Sequence, residues 1–113
     1  MKINYNNKKF RPVQNSDNGA VSAQTVFEYK QEGNILTAIY SGGEIVKGQL
    51  IGLVDENGKI NMRYQQVNKT GLLQTGICES TPEVLGSGKI RLHEKWKWTS
   101  GDCSQGTSIL EEV

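Results

Sequence analysis

The stretch Gly88-Lys-Ile-Arg-Leu-His-Glu-Lys-Trp-Lys-Trp-Thr-Ser-Gly101 constrains the fold more than any other part of the chain. Ile90, Leu92, Trp96 and Trp98 share one parity, and Arg91, His93, Lys95 and Lys97 share the other. A period of two sustained over this length specifies a β-strand with one buried and one wet face. On a helix the four apolar residues would scatter around the circumference, so a helix is disfavoured. Both tryptophans of the protein lie here, which makes this strand the organiser of the core. One residue breaks the pattern: Glu94 is a carboxylate on the apolar parity.

At 113 residues the chain makes one domain, with residues 1–9 read as a loosely ordered polar lead-in. Thirteen glycines against two prolines indicate many turns rather than disorder. Thirteen basic and twelve acidic residues leave a formal charge of +1, which gives no electrostatic footprint for nucleic acid or for an anionic membrane. The N-terminus MKINYNNKKF has no apolar core of signal-peptide type, and no run approaches membrane-spanning length. A cytoplasmic location is therefore expected. In that compartment Cys78 and Cys103 read as two reduced thiols. One histidine with this cysteine spacing does not suit zinc, and neither a metal nor a cofactor is expected.

Taken in order, Lys9-Phe-Arg-Pro-Val13 is an extended segment placed at an edge by Pro12. Strands are expected over residues 21–31, 34–41, 44–54, 59–68, 72–80, along the central stretch, and over 105–113. Gly42-Gly43, Asn57-Gly58 and Ser100-Gly101 supply tight turns, and a longer loop holds Pro82 and Gly86-Ser-Gly88. Gly48 and Gly52 mark a bend or bulge. The expected fold is all-β: an antiparallel up-and-down meander of seven or eight strands, closed into a small barrel that removes exposed edges. An open curved sheet or a two-sheet sandwich is the runner-up.

The segments Phe27-Glu-Tyr-Lys, Ile51-Gly-Leu-Val-Asp, Thr75-Gly-Ile-Cys-Glu-Ser-Thr-Pro82 and Lys89 to Gly101 resemble a family of short bacterial proteins that carry the label N-acetylglutamate synthase. The resemblance covers residues 3–113 and would imply an acetyltransferase. The residues themselves supply no βα unit whose helix N-terminus could hold the pyrophosphate of acetyl-CoA. By architecture the chain also resembles calycin-like small barrels, which implies a ligand held inside.

Opposed residues of an antiparallel pair share a face, so each turn carries parity from strand to strand. With an even number of residues in every loop, the face of Trp96 and Trp98 also carries Thr75, Ile77 and Glu79, and then Ile60, Met62, Tyr64 and Gln66. Lys47, Gln49, Ile51 and Leu53 follow, then Leu36, Ala38 and Tyr40, then Thr25, Phe27 and Tyr29, with Gln105, Thr107, Ile109 and Glu111 on the last strand. A bulge at Gly48 or Gly52 would reverse Lys47. The candidate ligand-binding residues are therefore Glu94, Glu79, Lys47, Tyr29, Tyr40, Tyr64, Trp96 and Trp98.

Glu94 inside the barrel needs a partner, and Glu79, Tyr64, Lys47 and Arg63 are the candidates. An inward glutamate is first a member of a satisfied polar network, second a ligand group, and only third an acid–base catalyst. His93, between Arg91 and Lys95, belongs to a solvated basic stripe. The leading functional expectation is a module that binds a small organic molecule. The alternative is a protein that pairs with a second copy through Ile35, Ile39, Val46, Leu50 and Val54 on the outer parity.

Overall fold

Eight strands make up the computed structural model, which describes residues 3–113: β1 (Lys9–Asn15), β2 (Val26–Glu32), β3 (Ile35–Gly42), β4 (Ile45–Val54), β5 (Ile60–Asn68), β6 (Leu73–Val84), β7 (Ile90–Trp98) and β8 (Gln105–Glu112). Each pairs antiparallel with its neighbours in sequence, and β1 pairs with β8 to close the barrel. The all-β meander expected from the alternation is the observed fold. The central strand is β7, with Ile90, Leu92, Glu94, Trp96 and Trp98 all turned inward and buried.

The register differs from the expectation because the hairpin loops after β4 are odd. Val54 pairs with Ile60, Val67 with Leu73, and Val84 with Ile90, so five residues lie in each loop. Asp55-Glu-Asn-Gly58-Lys59, Asn68-Lys-Thr-Gly71-Leu72 and Leu85-Gly-Ser-Gly88-Lys89 share one design. The fourth residue is a glycine at φ 82°, 82° and 87°, and its N–H donates to the carbonyl three residues back. Only glycine takes this left-handed conformation at no steric cost. Asn57-Gly58 is thus the end of a longer loop and not a two-residue turn.

Odd loops keep parity constant from β4 onward, and the bulge beside Lys47 does the same between β3 and β4. Even-numbered residues therefore face inward from β3 through β8, and the expected interiors of β4, β6 and β8 are reversed. On β4 the interior residues are Gly48, Leu50, Gly52 and Val54, with Ile45 brought in by a bulge before Lys47. Lys47, Gln49, Ile51 and Leu53 face out. On β6 the inward residues are Gly76, Cys78 and Ser80, so Thr75, Ile77 and Glu79 do not fill the core. On β8 they are Gly106, Ser108 and Leu110, in place of Gln105, Thr107, Ile109 and Glu111. The interiors of β2, β3, β5 and β7 are as expected: two odd loops restore the parity of β5, the bulge beside Lys47 restores that of β3, and the even loop Gly33-Asn34 carries it to β2.

Size complementarity explains why small residues occupy the inside of β4, β6 and β8. Tyr40 pairs with Gly48, Tyr64 with Gly76, Gly76 with Trp98, and Trp96 with Gly106. A Cβ built on Gly76 would stand 2.1 Å from the Tyr64 hydroxyl, and one on Gly106 would stand 2.5 Å from the Trp96 ring. Each large ring therefore lies across the glycine of the next strand, flat against the barrel wall.

Two boundaries also move. Residues 21–25 lie outside β2, in the segment joining it to β1, and β6 runs on through Pro82 to Val84. Pairing of β6 with β5 stops at Ser80, so Pro82 sits where one side of its strand has no ladder to complete. Pro12 is similar: β1 pairs with β2 only at Lys9 and Phe10, and its register with β8 shifts between Pro12 and Gln14.

One end of the barrel is plugged from within by the lead-in. Ile3 and Tyr5 are buried, and Tyr5 packs against Tyr29 and Phe10 at ring separations of 6.1 and 6.2 Å. Its hydroxyl donates to the Gly58 carbonyl at 2.6 Å. The expectation of a loose segment fails here from Ile3 onward, because an apolar pair spaced by two residues was hidden among asparagines. Residues 1–2 lie outside the described residues. Outside, Ile35, Ile39 and Val46 are exposed as expected, whereas Leu50 and Val54 are buried and Ile51 and Leu53 take their places. Arg91 pairs with Glu111 at 2.7 Å, and His93 with Glu83 at 2.8 Å, so the first half of the basic stripe is paired on the outer face.

Removing the plug tests its part in the core. Tyr5→Ala deletes a fully buried ring and its hydrogen bond, at an expected cost of about 3–5 kcal/mol in urea unfolding. A loss below about 1 kcal/mol would show that the segment rests on the barrel without belonging to it.

Candidate functional site

Opposite the plug, a cavity of about 50 Å³ lies under the segment that joins β1 to β2. Phe27, Tyr40, Leu50, Met62, Tyr64, Trp96 and Trp98 give it aromatic and aliphatic walls. Asn15, Gln66, Cys78, Glu94 and Ser108 add the polar groups, and Gly19, Ala20 and Val21 border it from the connecting segment. Trp96 and Trp98 stand with ring centres 5.7 Å apart at 62°, and Tyr64 meets Trp98 at 5.7 Å and 72°. The three rings therefore form a corner and not a stack.

The connecting segment is latched by side chains of the strands beneath it. Asn15 Nδ2 donates to the Val21 carbonyl at 2.8 Å, and Trp98 Nε1 to the Asn18 carbonyl at 3.1 Å. Asn18 Nδ2 in turn donates to Ser104 Oγ and the Gln105 carbonyl, each at 3.0 Å. Below it runs a polar chain: Trp96 Nε1 donates to Ser108 Oγ at 2.8 Å, and Ser108 Oγ to Asn15 Oδ1 at 2.5 Å. On the other wall Tyr40 donates to Gln66 Oε1 at 3.0 Å, and Gln66 Nε2 to Gln74 Oε1 at 3.0 Å. Buried polar groups in low dielectric hold their partners strongly, so these chains fix the rotamers of the walls.

Glu94 is the exception in this network. It is buried on β7, and its Oε2 accepts one hydrogen bond, from Ser80 Oγ at 2.6 Å. Oε1 has no protein partner among the described residues. Burial pushes its carboxyl up from the ordinary 4.5 to about 7, and the Ser80 hydrogen bond offsets part of that rise. None of the expected partners reaches it. Glu79 stands on the outer face opposite Lys95, Lys47 is outside opposite Val67, and Arg63 is outside, donating to Asn61 Oδ1 at 2.8 Å. Tyr64 shares the cavity without bonding to it.

Of the eight candidate residues, Glu94, Tyr40, Tyr64, Trp96 and Trp98 come together around the cavity. Tyr29 faces inward but packs with Phe10 at 4.8 Å in the plugged half, where its hydroxyl is buried without a partner. Glu79 and Lys47 are removed from the site by the odd loops. Sequence reasoning placed Gln66 inside without assigning it to the site, and missed Asn15, Cys78, Ser80 and Ser108. The glycine at the fourth position of three loops was the signal that would have placed Cys78 and Ser80 inside, whereas Ser108 is set by the seven-residue connection between Lys97 and Gln105. Asn15 carried no such signal, because the irregular register around Pro12 decides where it points.

Cys78 and Cys103 are free, and burial holds the Cys78 thiol well above its ordinary range, so it is not a ready nucleophile. Burial likewise raises the hydroxyls of Tyr40 and Tyr64, which stay neutral donors. Among the described residues no group of three or more His, Cys, Asp and Glu side chains is arranged to hold a metal ion.

The raised carboxyl has a definite consequence for stability. Between about 4.5 and about 7 the folded state keeps a proton that the unfolded chain has lost. Glu94 therefore imposes no penalty below that window, a growing one as pH rises through it, and a constant one above. At about 1.4 kcal/mol per unit, the full penalty is roughly 3–4 kcal/mol. Glu94→Gln still accepts from Ser80 and carries no charge. The variant should be more stable than the parent at pH 8 by roughly 1–3 kcal/mol, with the difference vanishing near pH 4.5. Parallel unfolding profiles across this range would show that Glu94 is not buried.

Comparison with known proteins places the fold in a family. A family model described as avidin-like protein matches residues 3–113. Among curated proteins and among solved structures, none matches. The match gives no support to the resemblance to proteins labelled N-acetylglutamate synthase. It agrees with the closed eight-strand barrel and spans every described residue, and the chain belongs to the avidin-like family.

Proposed function

We propose that this protein is a binding module for a compact, polar small molecule, held in the cavity between Glu94, Trp96, Trp98, Tyr40 and Tyr64. The observation that carries the reading is Glu94: a buried carboxyl with only one oxygen partnered, beside a cavity walled by both tryptophans of the chain. A carboxyl kept there without a second partner costs stability that an apolar residue would not. The family adds weight, since avidin-like barrels take small ligands such as biotin. About 50 Å³ holds a few water molecules or a compact head group. Anything larger must displace Ala20 and Val21, which border the cavity from outside the strands. A catalytic reading has less support, because His93 lies on the outer face against Glu83, away from the cavity. A cytoplasmic location stays part of the proposal, in keeping with two unpaired cysteines.

Trp96 and Trp98 are the only tryptophans, so intrinsic emission reports on the site directly. Titration with biotin and with a library of compact polar molecules should give a saturable change in emission and a rise in melting temperature for at least one compound. No saturable change with any of them, on a barrel shown to be folded, overturns the reading.

A second reading, self-association, rests on the outer apolar stripe. Ile35 pairs with Leu53 and Thr37 with Ile51, and all three apolar side chains are more than 45% exposed. Sedimentation should then show a dimer that Ile51→Lys dissociates; a monomer at high concentration excludes it.

A further inference from the structure

The charge inventory of the interior is lopsided. Among the described residues, Thr25, Gln66, Ser80, Glu94 and Ser108 are the buried polar or charged side chains, and Glu94 is the one acid among them. Among the described residues no buried lysine, arginine or histidine accompanies it. The groups facing it from the neighbouring strands are all neutral at ordinary pH. Tyr29 on β2, Tyr40 on β3, Tyr64 on β5 and Cys78 on β6 each have their own ionisation pushed upward, in part by the Glu94 charge. From β1, β4 and β8 come Asn15, Leu50 and Ser108, which carry no charge.

An ionised Glu94 is therefore a buried anion with one hydroxyl donor and no counter-ion. Two kinds of ligand could complete it. A neutral N–H donor would satisfy the free oxygen but leave the charge uncompensated. A protonated nitrogen would supply the donor and the charge together. The walls favour the second, because the faces of aromatic rings attract cations and repel anions. Trp96, Trp98 and Tyr64 meet as a corner of near-perpendicular rings, with Tyr40 also lining the same cavity.

We infer that the cavity is a site for a compact organic cation, a guanidinium or primary ammonium group, with Glu94 as its counter-ion and the Trp96, Trp98, Tyr40 and Tyr64 rings as its walls. The inference rests on the small-molecule reading above and names the ligand class for that same site. It also sets the sign of the pH dependence. A cation needs Glu94 ionised, so its binding strengthens as pH rises through about 7 and releases a proton below it. A neutral donor has no such requirement.

Methylguanidinium and N-methylurea have nearly the same shape and differ in charge, which makes them the discriminating pair of probes. Each is titrated into the protein at pH 6 and pH 8 and followed by tryptophan emission. Methylguanidinium should bind at pH 8 at least tenfold more tightly than N-methylurea, and should weaken about tenfold at pH 6. Glu94→Gln should lose methylguanidinium by tenfold or more while keeping N-methylurea. If that variant does not fold, the pH dependence of the parent still decides. Equal affinity for the two probes, or methylguanidinium binding that ignores both pH and Glu94→Gln, overturns the inference. Binding of N-methylurea alone overturns it and leaves the small-molecule reading standing. No response to either probe or to the wider library, with the near-ultraviolet dichroism of the folded barrel intact, overturns both.

Discussion

Strand β1 closes the barrel by pairing with β8 from Phe10 to Asn15, yet it pairs with β2 only at Lys9 and Phe10. Full closure removes sheet edges and the aggregation hazard they carry. The split between β1 and β2 is what leaves room for a cavity. Where the two strands part, the connecting segment crosses the opening, and Ala20 and Val21 pack against the core in place of a strand. At the other end β1 and β2 stay together, and Tyr5, Phe10 and Tyr29 fill the space between them. The barrel is therefore asymmetric along its axis, solid at one end and partly hollow at the other.

The hollow half is lined by an alternation of large and small residues around the barrel. Tyr40, Tyr64 and Trp96 lie over Gly48, Gly76 and Gly106, and the thin walls of β4, β6 and β8 make space for the rings. Filling the same volume with aliphatic side chains would give a better packed and more stable core. The chain instead keeps rings against the wall, a buried acid on β7 and a ladder of amides and hydroxyls near the opening. That departure from an all-apolar core is the physical content of the functional proposal: the interior is arranged for something other than stability.

Most of the fold was legible because strand alternation is local. The β7 pattern, the count of strands and the closed meander all follow from residues that are neighbours in sequence. The placement of Glu94, Tyr40, Tyr64, Trp96 and Trp98 was legible for the same reason. What failed was register, which is set by loop length and not by the strands themselves. Both faces of β4 carry large apolar residues, so Ile51 and Leu53 were as credible inside as Leu50 and Val54. On β6 the apolar Ile77 faces out, while glycine, cysteine and serine face in because rings from β5 and β7 need the space. Glu79 and Lys47 were misplaced by that step. Tyr5 was lost for a different reason: a residue outside any strand has no period to reveal it.

The proposed site depends on the state of one carboxyl, and carbon-13 labelling of the glutamate side chains observes that state without a ligand or a variant. In a titration followed by nuclear magnetic resonance, the Glu94 carboxyl signal should move with a midpoint near 7, about two and a half units above the ordinary 4.5. A midpoint close to 4.5 would place Glu94 in water. It would contradict the buried, half-partnered carboxylate on which the site, its pH dependence and its ligand class all rest.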